Sequence, residues 1–145
     1  MTSRRSESPL RVLLVEDQEL DRMMVERAFR KSEIEVDLRS AKDGVEALEL
    51  LRNAHGAEPF APPYLIVLDL NMPRMGGVEF LGHLRADPEL RRSVVFVLTT
   101  SEHENDRVEC YDLGVAGVVA KQSLGTQSQD LVRLLNDYWH LVELP

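Results

Sequence analysis

Cysteine is nearly missing from this chain, which carries Cys110 alone among 145 residues. A single thiol excludes an internal disulfide and fits a reducing compartment. Cys110 itself reads as a small apolar residue on a helix rather than a reactive group. Positive charge is also scarce, with 17 Lys and Arg against 25 Asp and Glu for a net charge of −8. That balance excludes a broad electrostatic footprint for nucleic acid. No apolar run is long enough for a membrane span. The stretch Leu10 to Val15 is short and interrupted by Arg11, so it is neither a signal peptide nor a spanning helix. The expected location is cytoplasmic. The four histidines, His55, His83, His103 and His140, show no metal-ligand spacing. Internal repeats, heptads and low-complexity blocks are absent as well.

What is present is a regular exchange of short apolar runs with helical periodicity. The run Tyr64-Leu65-Ile66-Val67-Leu68 leads into Asp69, and Leu70-Asn71-Met72-Pro73 with Gly76-Gly77 then stops it. A short run without alternation, bounded by breakers, reads as a strand buried on both faces of a parallel sheet. Leu10 to Val15, Val94 to Leu98 and Gly117 to Ala120 read the same way, and Ile34 to Ser40 alternates like a strand near an edge. Leu20, Met24 and Ala28, with Val25 and Phe29 beside them, place a first helix over about Gln18 to Lys31. A second starts at Asp43-Gly44 and a third carries Val78, Leu81 and Leu84 until Asp87-Pro88 ends it. A fourth covers about Glu104 to Leu113 with Gly114 as its C-cap. The spacing Thr126-Gln127-Ser128-Gln129 is that of a capping box, where the fifth should begin. Residues 1–9 are expected to form a loose tail, 10–138 the domain and 139–145 a C-terminal arm. Asn53 to Pro63, with one Gly and three Pro, is a long connection of the sort that carries a partner-specific surface.

Five strands alternating with five helices imply an α/β fold with helices on both faces of a parallel sheet. The expected arrangement is the flavodoxin-like doubly wound (βα)5 order 2-1-3-4-5, whose crevice lies between strands one and three. Glu16 and Asp17 follow the first strand, Asp69 ends the third, Thr99 follows the fourth and Lys121 the fifth. Taken singly, each has an ordinary reading: acidic residues favour helix amino termini, and Thr and Lys are common at strand ends. Jointly they place three carboxylates, a hydroxyl and an ammonium at one rim. Three carboxylates repel, and a divalent hard cation such as Mg²⁺ removes that repulsion. Glu16, Asp17, Asp69 and a backbone carbonyl just after Asp69 form a ligand set for it. Asp69 is then the nucleophile toward a phosphoryl group whose oxygens Lys121 and Thr99 balance.

On Leu13-Leu14-Val15-Glu16-Asp17, Val67-Leu68-Asp69-Leu70-Asn71-Met72-Pro73 with Gly77, Leu98-Thr99 and Ala120-Lys121, the chain resembles a response-regulator receiver domain from about Leu10 to Tyr138. The resemblance implies a signalling protein that catalyses only its own phosphorylation and dephosphorylation. Asp69 would take a phosphoryl group from the phosphohistidine of a sensor histidine kinase. Mg²⁺ would be held by Asp17, Asp69 and the Asn71 backbone carbonyl, with Glu16 acting directly or through water. Thr99 and Lys121 would hold the phosphoryl oxygens. The Pro-rich stretch before Tyr64, the run Leu98-Thr99-Thr100-Ser101 and the ending Tyr138 to Pro145 are similar to receivers paired with phytochrome histidine kinases. The length after the fifth helix leaves no room for an effector domain, so a stand-alone receiver is expected.

Two positions depart from the family pattern. Val118 stands where many receivers carry an aromatic that rotates with the threonine. Gln122 follows the lysine where a cis proline is common, and a trans Lys121–Gln122 bond is expected because a non-proline cis bond costs roughly 2.5–4 kcal/mol. In the last helix, Leu131, Leu134, Leu135 and Tyr138 form a stripe toward the sheet. Val132, Leu135, Trp139 and Val142 form a second, and Trp139, Leu141, Val142 and Leu144 lie beyond the expected domain edge. The arm is therefore expected to build a homodimer. Three other functions stay open. A haloacid-dehalogenase-type phosphatase needs a second Asp where Asn71 stands. A flavodoxin-like cofactor binder needs a phosphate loop where Glu16-Asp17-Gln18-Glu19 stands. An unphosphorylated docking module has no use for Asp69 and Lys121.

Overall fold

The computed structural model describes residues 9–52, 60, 62–72, 74–100, 104–123 and 128–145. Five strands, β1 (Leu10–Val15), β2 (Val36–Ala41), β3 (Leu65–Asp69), β4 (Val94–Thr99) and β5 (Gly117–Ala120), form one parallel sheet. Its order is β2-β1-β3-β4-β5, as expected. The helices are α1 (Glu19–Ser32), α2 (Gly44–Arg52), α3 (Gly77–Ala86), α4 (Glu104–Asp112) and α5 (Gln129–Leu141), with a 3-10 turn at Lys121–Ser123.

Alternation along the strands sends every second side chain to each face. Leu13, Val15, Ile66, Leu68, Val95 and Val97 meet α2, α3 and α4 on one side. Val12, Leu14, Leu65, Val67, Phe96 and Leu98 meet α1 and α5 on the other. This double coverage is why the three central strands read as apolar runs, broken only by Arg11 near the start of β1. Gly114 ends the fourth helix at φ +73°, the left-handed conformation that a C-cap glycine supplies without strain.

Four expectations need correction. Strand two is displaced to Val36–Ala41, and Ile34 and Glu35 belong to the connection. As an edge strand with Asp37 shared between Arg11 and Arg39, it lacks a sharp polar–apolar boundary. In α1 the buried residues are Val25, Ala28 and Phe29, whereas Leu20 and Met24 face solvent. At 100° per residue the inner face centres on Val25, and Leu20 falls on the opposite side. The fifth helix begins at Gln129, after a buried Ser128 at φ +58°, and the Thr126-Gln127 part of the capping box lies outside the described residues.

The two stripes of α5 prove to be one. Leu131, Val132, Leu135 and Trp139 are all buried, and Leu134 is exposed. These four span about 100° of arc centred between Leu135 and Trp139, while Leu134 sits on the flank. Trp139 thus fills the core of its own chain, and α5 runs unbroken through the expected edge at residue 138. Leu144 packs back against the same core.

Candidate functional site

Parallel strands that switch direction of winding between β1 and β3 gather their carboxyl ends at one rim. Glu16 and Asp17 leave β1 there, Asp69 and Thr99 are the last residues of β3 and β4, and Lys121 follows β5. The Asp69 end is fixed by a close approach. The Gly77 amide donates to the Leu70 carbonyl at 2.9 Å, and a Cβ on Gly77 would lie 2.7 Å from the Leu70 Cα. Only glycine admits α3 that near the end of the central strand.

One oxygen each from Glu16, Asp17 and Asp69 lies within 4.8 Å of the others. Glu16 is 2% exposed, Asp69 4%, and Thr99 is buried beside them. Lys121 Nζ lies 2.9 Å from Asp21 Oδ2, 3.1 Å from Glu16 Oε2 and 3.5 Å from Asp69 Oδ1. The Gln18 amide donates to Glu16 Oε1 at 3.1 Å, and the Asn71 amide to Asp69 Oδ1 at 3.4 Å. Thr99 follows Leu98, the register partner of Asp69, and pairs with Ala120, the neighbour of Lys121. The structure therefore brings Glu16, Asp17, Asp69 and Lys121 into one cluster, with Thr99 and the exposed Asn71 on its border.

Burial dominates the electrostatics. It raises Glu16, with the charge of Asp69 adding to it, to about 7 despite Lys121. It also holds Asp69 above the ordinary carboxylate range, against the pull of Lys121. Burial opposes the Lys121 ammonium, but Asp21, Asp69 and Glu16 together outweigh it and raise that group. The carboxylates thus sit in a charge deficit that one lysine does not fill. Asp17 Oδ1 is buried without a hydrogen-bond partner, an expensive state for a carboxylate oxygen. An all-oxygen, acidic donor set with an orphaned buried oxygen fits a hard divalent cation.

Sequence reasoning missed three participants. Asp21 reaches Lys121 from the first turn of α1, where an acid already has a local reason to stand, so no signal in the sequence singled it out. Asp43 accepts the Glu46 amide at 2.9 Å as the cap of α2 and binds Arg74 at 2.6 and 3.1 Å, tying the loop after Asp69 to the loop after β2. The Val118 amide donates to the Tyr111 hydroxyl at 3.3 Å, so an α4 aromatic reaches the position where the usual ring is missing. Lys121–Gln122 is trans, as expected.

A parallel sheet of order 2-1-3-4-5 with a buried aspartate between an acidic nest and a lysine defines a class of signalling domain. Residues 12–135 match the family model of the response regulator receiver domain, and the chain belongs to that family. Among its relatives is response regulator Rcp1 of Synechocystis sp., 34% identical over 144 residues, covering 99% of this chain and 98% of Rcp1. The Mn²⁺-bound form of Rcp1 superposes with a TM-score of 0.80 at 34% identity, covering 94% of this chain and 99% of that one. The phosphorylated cyanobacterial phytochrome response regulator RcpA gives 0.84 at 32% identity, covering 95% and 99%. The bacteriophytochrome response regulator AtBRR gives 0.74 at 30% identity, covering 95% and 98%. No helix among the described residues is long and apolar enough to cross a membrane.

Proposed function

We propose that Asp69 accepts a phosphoryl group from the phosphohistidine of a sensor histidine kinase, and that the kinase is a phytochrome. The observation that carries this reading is the buried Asp69 carboxylate, set 3.5 Å from Lys121 and inside a nest with the orphaned Asp17 oxygen. The similarity of this chain to phytochrome and bacteriophytochrome response regulators supports the choice of kinase.

In the reaction, an Asp69 carboxylate oxygen forms a bond to phosphorus as the phosphorus–nitrogen bond of the phosphohistidine breaks. The imidazole nitrogen keeps the electron pair and takes a proton, and Asp69 becomes an acyl phosphate. Water later cleaves it to phosphate and free Asp69. Asp17, Asp69 and the Asn71 carbonyl would hold Mg²⁺, with Glu16 direct or through water; the ion supplies charge neutralisation at the transferring group. Lys121 balances one phosphoryl oxygen and Thr99 donates its hydroxyl to another. Positioning and electrostatics are what phosphoryl transfer requires of a protein. A Lys121→Ala variant separates the readings by its phosphoryl uptake from acetyl phosphate: a receiver loses uptake that wild type shows, and a docking module shows none in either protein. The direct test is transfer of labelled phosphate from an autophosphorylated phytochrome kinase. Wild type is expected to take up label and Asp69→Asn none; labelling of both would sink the assignment.

A homodimer through the last helix and the arm completes the proposal. With Trp139 in the core, its apolar contacts are Leu134, 38% exposed, and Leu141, 82% exposed, on one flank of α5. Sedimentation of a Leu134→Glu, Leu141→Glu variant is expected to show a smaller species than wild type; identical profiles would remove this face from the interface.

A further inference from the structure

Three carboxylates hold Lys121, but only two of them belong to the metal nest. Glu16 and Asp69 share that nest with Asp17, while Asp21 stands outside it, in the first turn of α1. Asp21 nevertheless makes the shortest contact, 2.9 Å against 3.1 and 3.5 Å. Lys121, Asp21 and Glu16 also border a small open pocket of about 90 Å³, lined further by Met24, Leu98 and Ser128. That space adjoins the ammonium and leaves room beside it.

The charges dictate what happens to Lys121 as the nest fills. A divalent cation takes up the charge of Glu16 and Asp69 and repels the ammonium. Asp21 is then the carboxylate left to Lys121. A phosphoryl group on Asp69 adds negative charge on the opposite side and draws the ammonium back, since charge-assisted bonds to phosphoryl oxygens are strong.

We propose that Asp21 is a positioning residue that draws Lys121 off the metal nest when a cation fills it and competes with the phosphoryl group for it afterwards. The inference rests on the phosphoacceptor reading of Asp69. Removing Asp21 then acts in two opposite directions. Lys121 falls back on Glu16 and Asp69 and competes with the cation, so metal binding weakens. Lys121 also engages the phosphoryl group without a rival, so the phosphorylated state is favoured.

Two equilibria read these effects. Calorimetry with Mn²⁺ on the unphosphorylated protein measures the nest, and binding of beryllium fluoride at saturating Mg²⁺ measures the phosphoryl-like state. For Asp21→Asn we expect Mn²⁺ affinity lower by about two- to five-fold and beryllium fluoride affinity higher by about two- to five-fold, the range of a part-exposed ion pair. Asp21→Glu restores both toward wild type. A purely structural loosening of α1 weakens both together. That pattern, or any other than opposite shifts, overturns the role of Asp21 while wild type still binds the mimic and takes a phosphoryl group from acetyl phosphate. Failure of wild type itself to do either overturns the reading of Asp69 instead.

Discussion

The two rims of the sheet are built on opposite terms. At the amino-terminal rim the strong polar groups are spread among many partners. Arg85 donates to the carbonyls of Leu113, Arg91, Ser93 and Gly114 at 2.7 to 3.1 Å, stitching α3, α4 and the entrance to β4. Tyr64 and Ser93 share a hydrogen bond of 2.8 Å, and Phe60 stacks on Tyr64 beneath Arg11 and Arg39. At the carboxyl-terminal rim three carboxylates crowd together and one of their buried oxygens is orphaned. One end of the molecule is tied together by satisfied contacts, and the other keeps a repulsion among carboxylates that a divalent cation would relieve. Strain of this kind concentrates where function is.

If the contrast is right, mutations at the two rims separate stability from chemistry. The largest loss of stability is expected from Arg85→Ala. It strips the charged donor from four carbonyls and is expected to destabilise by on the order of 2–3 kcal/mol in urea unfolding, with phosphorylation intact in the folded fraction.

Next comes the pH response of the metal-free protein. Glu16 is raised from 4.5 to about 7, so the folded state binds a proton that the unfolded chain has lost. Its contribution is therefore fully present below about pH 4.5 and is lost as pH rises toward 7, on the order of 2 kcal/mol. Saturating Mg²⁺ is expected to abolish that decline in thermal unfolding, and a decline unchanged by Mg²⁺ would place the ion elsewhere.

Asp43 gives a smaller effect of opposite sign. Its hydrogen bonds to Arg74 hold it below the ordinary carboxylate range, with the Glu46 amide assisting against burial. Its stabilisation is present above that range and disappears as pH falls through its folded value. Asp43→Ala is expected to cost about 1–2 kcal/mol near neutrality, the loss of a helix cap, and little at acid pH. The smallest change is a gain. Asp69→Asn relieves repulsion and is expected to stabilise the metal-free protein by on the order of 1 kcal/mol.

The same contrast explains what could be read from the residues alone. Strands three and four are continuous apolar runs and strand one is broken only by Arg11 near its start, so the polar residue that ends each one stands out. Glu16, Asp69 and Thr99 announce themselves in that way, and Lys121 does so after the shorter Gly117–Ala120. Strand two lies at an edge, mixes polar and apolar neighbours, and slipped by about two residues. In α5, Leu135 belongs to both apparent stripes, and only the position of the sheet shows that they are one. Asp21 and Arg74 were illegible because their partners, Lys121 and Asp43, are 100 and 31 residues away. An acid in the first turn of a helix already has a local explanation, and nothing in its surroundings announces a second.

We read the carboxyl-terminal rim as a phosphoacceptor site completed by a divalent cation. Intact mass after incubation with acetyl phosphate and Mg²⁺ tests it most directly, with wild type beside Asp69→Asn and a sample treated with a chelator. One phosphoryl group is expected on wild type with Mg²⁺, and none on the variant or without the ion. An adduct on Asp69→Asn, or an unmodified wild type at full metal occupancy, would contradict it.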